Sequence, residues 1–267
     1  MIYWFPTKAV RNMRVDVIVS PAFLEGGELE GSLCAVVDVL RATSTITTAL
    51  TSGAVAVYPC LDVEEAKRGA AAFGRERSLL GGEERGQLIP GFDLGNSPLE
   101  YLDADVVDGK AIYFCTTNGT GAVRRAYAEC DCPVYIAALI NMSAVSSAIV
   151  GAASDGKAAG IVILCSGRYG KPSAEDTFCS GLMVRMAVNG LREFGIPPDL
   201  TDSAMVAAGF AEANEGKGLD ILASSEHGRF LQSLGFTPDL DFASRLDSYN
   251  AVPVFNGERI VLLNGDS

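Results

Sequence analysis

Asp38 stands inside an apolar, β-branched run, Leu33 to Leu40, with Arg41 just beyond it. A carboxylate in such a run is costly to bury unless a cation pairs with it. Three uses fit: an ion pair with Arg41, a metal ligand, or a catalytic base. Arg41 fits either that pair or a bidentate grip on a phosphate or carboxylate. Thr43, Ser44 and Thr45 follow with free hydroxyls. A second polar tip, Thr116-Thr117-Asn118-Gly119-Thr120-Gly121, follows the apolar run Ala111 to Cys115. Its glycines allow close backbone approach, its hydroxyls donate, and a helix beginning there would offer unpaired N–H groups to an anion. A capped helix start with no ligand is the other reading of this tip.

Glu175 and Asp176 are adjacent where a helical pattern opens. They are first-turn charges favoured by the helix dipole, or oxygen ligands for Mg²⁺, which takes one or two carboxylates plus waters and phosphate oxygens. Ser166 and Arg168 lie in the tip after the run Ile161 to Cys165, with Lys171 close behind. His227, the only histidine, is a proton shuttle or a structural side chain on a helix. Glu83, Glu84 and Arg85 sit in Gly81 to Pro98, a glycine- and proline-rich stretch with little periodicity; a loop of that length is usually functional, and a lid is one use.

Several chemistries are excluded. One histidine rules out HExxH. The phosphate loop GxxxxGK[ST] is absent, and Gly119-Thr120-Gly121-Ala122-Val123-Arg124 only approximates a dinucleotide fingerprint. The phospho-aspartate pattern DxDx[TV] fails at Leu40, and no RHG occurs. Cys179 to Arg185 matches CX5R, but its interior reads as an amphipathic helix, not an anion cradle.

The elements that position these groups alternate. Strands are expected at Val15–Val19, Leu33–Leu40, Val55–Tyr58, Ser78–Leu80, Ala111–Cys115, Val134–Ile140 and Ile161–Cys165. Helices are expected at Thr43–Thr51, at Val63–Phe73 capped by Asp62, and at Gly121–Glu129. The alternation predicts an α/β fold with a largely parallel sheet, whose strand ends carry the site. Val252–Phe255, Asn256-Gly257 and Glu258–Leu263 predict a C-terminal hairpin, with Pro253 placing its strand at an edge. Residues 1–12 read as an N-terminal extension and 13–267 as a single domain.

The 267 residues carry 21 basic against 33 acidic side chains, a net charge of −12. That disfavours nucleic acid and anionic membrane surfaces as partners, although a metal and a few arginines can reverse the field at one site. The charge-free stretch between Asp131 and Asp155 holds too many polar residues for a membrane span and reads as a strand, a cap and a helix. Seven cysteines in mostly apolar runs, with no CxxC, suggest reduced thiols and a cytoplasmic location. A homo-oligomer, a homodimer first, is compatible with 48% hydrophobic residues.

Taken in order, Asp38-Val39-Leu40-Arg41-Ala42-Thr43-Ser44-Thr45-Ile46, Gly82-Glu83-Glu84-Arg85-Gly86, Gly91-Phe92-Asp93-Leu94-Gly95-Asn96-Ser97-Pro98, Thr116–Thr120, Ser173-Ala174-Glu175-Asp176-Thr177-Phe178-Cys179-Ser180-Gly181 and Glu226-His227-Gly228 resemble the 2-phosphosulfolactate phosphatase family. The resemblance runs from about Val15 to Pro253. Glu84 looks inserted into a Gly-Glu-Arg-Gly pattern, which leaves both Glu83 and Glu84 as candidates for that position. The resemblance implies a three-layer α/β/α fold with a largely parallel or mixed sheet, and a Mg²⁺-dependent hydrolase that converts 2-phospho-3-sulfolactate to 3-sulfolactate and phosphate, a step towards coenzyme M. It implies a catalytic group of Asp38, Arg41 and His227, and a metal held by some of Asp38, Glu175 and Asp176. The small anionic substrate would be held by Thr43, Glu83, Arg85, Thr116, Thr117, Asn118, Gly119, Thr120, Ser166 and Arg168.

Overall fold

The computed structural model describes residues 12–130, 132–156 and 158–263. The expected N-terminal extension, except Asn12, lies outside the described residues. Eleven strands form one mixed sheet. They are β1 (Met13–Ile18), β2 (Leu33–Val37), β3 (Ala56–Cys60), β4 (Ser78–Glu84), β5 (Gln87–Leu88), β6 (Ala111–Cys115), β7 (Val134–Ala137), β8 (Gly160–Cys165), β9 (Pro198–Leu200), β10 (Pro253–Phe255) and β11 (Ile260–Leu262). Their order is β5-β4-β6-β3-β11-β10-β7-β2-β8-β1-β9.

Two parallel blocks make up this sheet. β4, β6 and β3 form one, and β7, β2, β8, β1 and β9 the other. The C-terminal hairpin β10–β11 lies between them and pairs antiparallel with both. Pro253 is therefore not on an edge strand. It begins β10, and pairing to β7 starts only at Val254, so its missing N–H leaves no ladder bond unmade on that side.

Side chains alternate across β2, so both faces bury. Ala35 and Val37 pack under α5 (Met142–Ser154), α6 (Ala174–Glu193) and α7 (Asp202–Ala213). Cys34 and Val36 join the opposite core, with Ile46 of α1 (Ala42–Thr51) and Val123 of α4 (Gly119–Cys130). This yields three layers and the near-continuous apolar strands of a sheet covered on both faces. Ile112 and Phe114 of β6 share the α1–α4 core with Val36 of β2. Counted through the hairpin, the two blocks run in opposite senses, yet both pack on α1 and α4. Residues at or just past the ends of β2 (Asp38), β4 (Glu83), β6 (Thr117) and β8 (Arg168) nonetheless line one cleft.

α1 is rich in threonine, usually a poor helix former, yet it is buried along most of its length. Thr47, Thr48 and Thr51 donate their hydroxyls to the carbonyls of Thr43, Ser44 and Thr47 at 2.8–2.9 Å. Each bond removes an orphaned hydroxyl that would cost about 1–3 kcal/mol in the core.

Two strands end earlier than expected. β2 stops at Val37 and β7 at Ala137, which places Asp38 just past a strand end. Gly81–Pro98 is not a free lid. β4 runs into it to Glu84 and turns back as β5. Asp93 then accepts from Arg75 Nη2 with both oxygens, at 2.8 and 2.9 Å, and from Leu80 N. Five further helices lie among the described residues: α2 (Val63–Phe73) and α3 (Ala104–Val107) early, and, after α7, α8 (Gly218–Ser224), α9 (Glu226–Ser233) and α10 (Thr237–Ala243). Among the described residues no helix is long and apolar enough to cross a membrane.

Candidate active site

The strand ends and α9 enclose a narrow polar cleft with about 370 Å³ of empty space, its open mouth included. Asp38, Arg41, Glu83, Arg85, Thr117, Asn118, Arg168 and His227 line it, with Leu40, Gly86, Asn96, Tyr169 and Phe230. Three guanidinium groups thus meet in one cleft of an acidic chain.

Asp38 is buried at the end of β2. Its backbone is pinned by Thr43, whose hydroxyl donates to Asp38 O at 2.8 Å and accepts from Asp38 N at 3.1 Å. Its Oδ1 accepts only a long bond from Ala42 N, 3.3 Å. Burial pushes its carboxyl up to about 6; the nearby His227, the Ser166 hydroxyl and the Ala42 N–H oppose that shift, and Glu83 adds to it. Gly119, the first residue of α4, sits directly over this carboxylate. A Cβ there would lie 2.5 Å from Asp38 Oδ2 and 2.5 Å from Ala42 Cβ.

Asp38 and Arg41 do not pair. Arg41 is buried, with Nη1 2.6 Å from Asp239 Oδ2 on α10 and Nη2 donating to Gly86 O at 3.1 Å. Its guanidinium lies over Phe236, 4.1 Å from the ring centroid.

Two tight turns flank the cleft, each with two consecutive residues at positive φ. Arg85 (51°) and Gly86 (78°) join β4 to β5, and Tyr169 (50°) and Gly170 (77°) close the Arg168–Lys171 bridge. Positive φ at both central positions marks the primed hairpin turns. Glu83 braces the first turn. It accepts from Gly86 N and, at 2.9 Å, from Thr117 N. Glu83 is the carboxylate that faces the cleft, whereas Glu84 is exposed on the outside of the hairpin. Arg85 makes no hydrogen bond or ion pair with its guanidinium among the described residues. Arg168 pairs with the exposed Glu226 at 3.1 Å and packs against Phe230 and Tyr169.

The remaining residues expected at the site stand behind its wall. Thr116 Oγ1 accepts from Thr120 N at 3.1 Å, and the two hydroxyls brace the start of α4. Thr43 and Ser166 support Asp38. Asp176 accepts from Val39 N at 2.9 Å and Gly167 N at 3.1 Å, tying the ends of β2 and β8 together. Burial, then the charges of Glu175 and Asp38, hold its carboxyl well above the usual carboxylate range. Glu175 is buried with Oε1 3.5 Å from His227 Nδ1, and its Oε2 has no hydrogen-bond partner among the described residues. His227 forms the wall between the cleft and a second cavity lined by Lys171, Ser173, Glu175 and Glu226.

Among the described residues no three His, Cys, Asp or Glu side chains converge as a metal cage. Mg²⁺ does not require one, because waters and substrate oxygens complete its shell. Asp38 fits that chemistry: it faces the cleft and its Oδ1 is weakly held. Glu175 Oε2 is an unspent buried donor. Asp176 fits less well, since both its oxygens are committed to backbone N–H groups.

Asp239, Phe236 and Phe230 were not legible as site residues. The one available signal was Asp239 itself, an acid on the buried stripe of α10 with Phe242 and Ala243.

The profile of the 2-phosphosulpholactate phosphatase family matches residues 18–258. A probable 2-phosphosulfolactate phosphatase of Symbiobacterium thermophilum is 42% identical over 88% of this chain and 96% of its own. One from Clostridium acetobutylicum is 35% identical, covering 92% and 99%, and one from Gloeobacter violaceus is 37% identical, covering 90% and 94%.

Proposed function

The chain belongs to the 2-phosphosulfolactate phosphatase family, and from that premise we propose that it hydrolyses 2-phospho-3-sulfolactate to 3-sulfolactate and phosphate. The observation that carries this reading is the buried carboxylate of Asp38 facing Arg41, Arg85 and Arg168 across one small cleft. Three guanidinium groups in one cleft suit a small ester bearing several negative charges.

Arg41 and Arg168, both pre-oriented, hold phosphoryl oxygens, and phosphoryl transfer depends mainly on such positioning and charge stabilisation. Arg85, whose guanidinium has no partner among the described residues, takes the carboxylate or sulfonate end. Asp38 would hold Mg²⁺, with Glu175 as the second carboxylate within reach of the site; the ion would supply charge neutralisation for the transferring group. Water attacks phosphorus as the ester P–O bond breaks. His227 protonates the departing alkoxide through Nε2, the nitrogen turned away from Glu175. The leaving hydroxy acid and inorganic phosphate account for all atoms.

In this reading the reaction runs in the cytoplasm, and its product is the sulfonated acid that leads towards coenzyme M. The test is phosphate release from a panel of 2-phospho-3-sulfolactate, phospholactate and phosphoglycerate. A strong preference for the sulfonate supports the substrate. Equal or better release from a non-sulfonated acid discards it and keeps the chemistry.

A further inference from the structure

We propose that Asp239 is a positioning residue for Arg41, and that through it the C-terminal helices form part of the anion site. The inference rests on the reading of the cleft as a phosphate-ester site. Asp239 does not line the cleft and is itself 2% exposed. One oxygen accepts from Arg41 Nη1 at 2.6 Å, and the other from Ser97 Oγ at 2.7 Å. Gly86 O takes Nη2, and the ring of Phe236 lies against the guanidinium face. Arg41 is thereby fixed from three places remote in sequence: the β4–β5 turn, the segment before Pro98, and α10.

A guanidinium has five N–H donors in a rigid fork. Two directions are committed to Asp239 and Gly86, and Arg41 also lines the cleft, where its remaining donors are left for an anion. A buried ion pair is weak evidence of stability, because neutral replacements of similar volume are often as stable. What the pair specifies is orientation. An untethered arginine would have to order its long side chain each time an anion binds. Asp239 and Phe236 do this before the substrate arrives.

The test is a double-mutant cycle, which isolates coupling from additive structural damage. Asp239→Asn is expected to lower kcat/KM for the phosphorylated acid at least tenfold. In an Arg41→Gln background the same change is expected to cost less than twofold. The neutral double variant removes both buried charges and keeps the fold assayable by its melting temperature. Phe236→Leu, which alters no charge, is the second probe; it should raise KM at least threefold in the wild-type background and leave the Arg41→Gln enzyme unchanged. Equal losses in both backgrounds, or losses under twofold throughout, would overturn the inference. If the wild-type protein turns over no phospho-acid, the reading of the cleft fails separately. The coupling is then read from inorganic phosphate affinity, by calorimetry, in the same four proteins. A change of threefold or more confined to the Arg41 background sustains it, and none refutes it.

Discussion

Gly119 stands where any side chain would strike the carboxylate of Asp38: a Cβ there would lie 2.5 Å from Oδ2. The start of α4 can approach the end of β2 only because this position is bare. Gly119→Ala must push the two apart or displace the carboxylate. Overpacking of this kind costs about 1–3 kcal/mol. The expected outcome is a modestly lowered melting temperature with a drop in kcat of more than tenfold. Unchanged kcat in a folded Gly119→Ala protein would show that the placement of Asp38 does not matter.

Asp38 should lower the stability of the metal-free protein near neutrality. Its folded pKa, about 6, is raised above the ordinary 3.8 by burial. The native state therefore binds more protons than the unfolded chain between those values, and stability falls as pH rises through that window. Asp176, also raised, acts in the same sense. Above about pH 6 the full penalty applies. In EDTA, Asp38→Asn is expected to be more stable than wild type at pH 7, by on the order of 1–3 kcal/mol. The gain should vanish below about pH 4. Urea melts across pH 3.5–7.5 check this; a variant less stable at pH 7 than at pH 4, relative to wild type, would be the wrong sign.

Arg85 offers the cleanest separation of binding from folding. It is exposed, its turn needs no guanidinium, and its guanidinium has no hydrogen-bond or ion-pair partner among the described residues. Arg85→Ala should leave stability within about 0.5 kcal/mol, as for surface changes away from special features. Loss of one charged contact to the substrate should raise KM roughly tenfold or more, with kcat less affected. A KM that does not move would remove Arg85 from the substrate site.

His227 is expected to matter in proportion to how much its proton is needed. With an alkyl phosphate, a poor leaving group, His227→Gln should lower kcat about 100-fold or more. With a phenolic phosphate, whose leaving oxygen needs little protonation, the loss should be much smaller. Equal losses on both substrates would assign His227 a structural part beside Glu175.

The residues that carry the site were legible where strand-end chemistry is local. Asp38, Arg41, Thr117, Asn118 and Arg168 each follow an apolar run, and the structure brings all of them to one cleft. Their partners were not legible, because those are set by tertiary packing. Arg41 pairs across the fold with Asp239 instead of its neighbour Asp38. Thr116 and Thr120 looked equally suited to an anion, yet they satisfy each other at the start of α4. The hairpin was readable from Asn256-Gly257, but not its position in mid-sheet. Pro253 argued for an edge, and only the register shows that its missing donor faces no partner on β7. The helices α8 and α10 are not readable from the sequence because each is only seven residues long, two turns with too little periodicity to register. Their contribution to the cleft was therefore hidden.

The most direct measurement is phosphate release from 2-phospho-3-sulfolactate by the wild-type protein and by Asp38→Asn, each with Mg²⁺ and with EDTA. Wild-type release that EDTA abolishes and Mg²⁺ restores is expected, with no release from a folded Asp38→Asn protein. Near-normal turnover by Asp38→Asn would contradict that expectation, whatever the metal does.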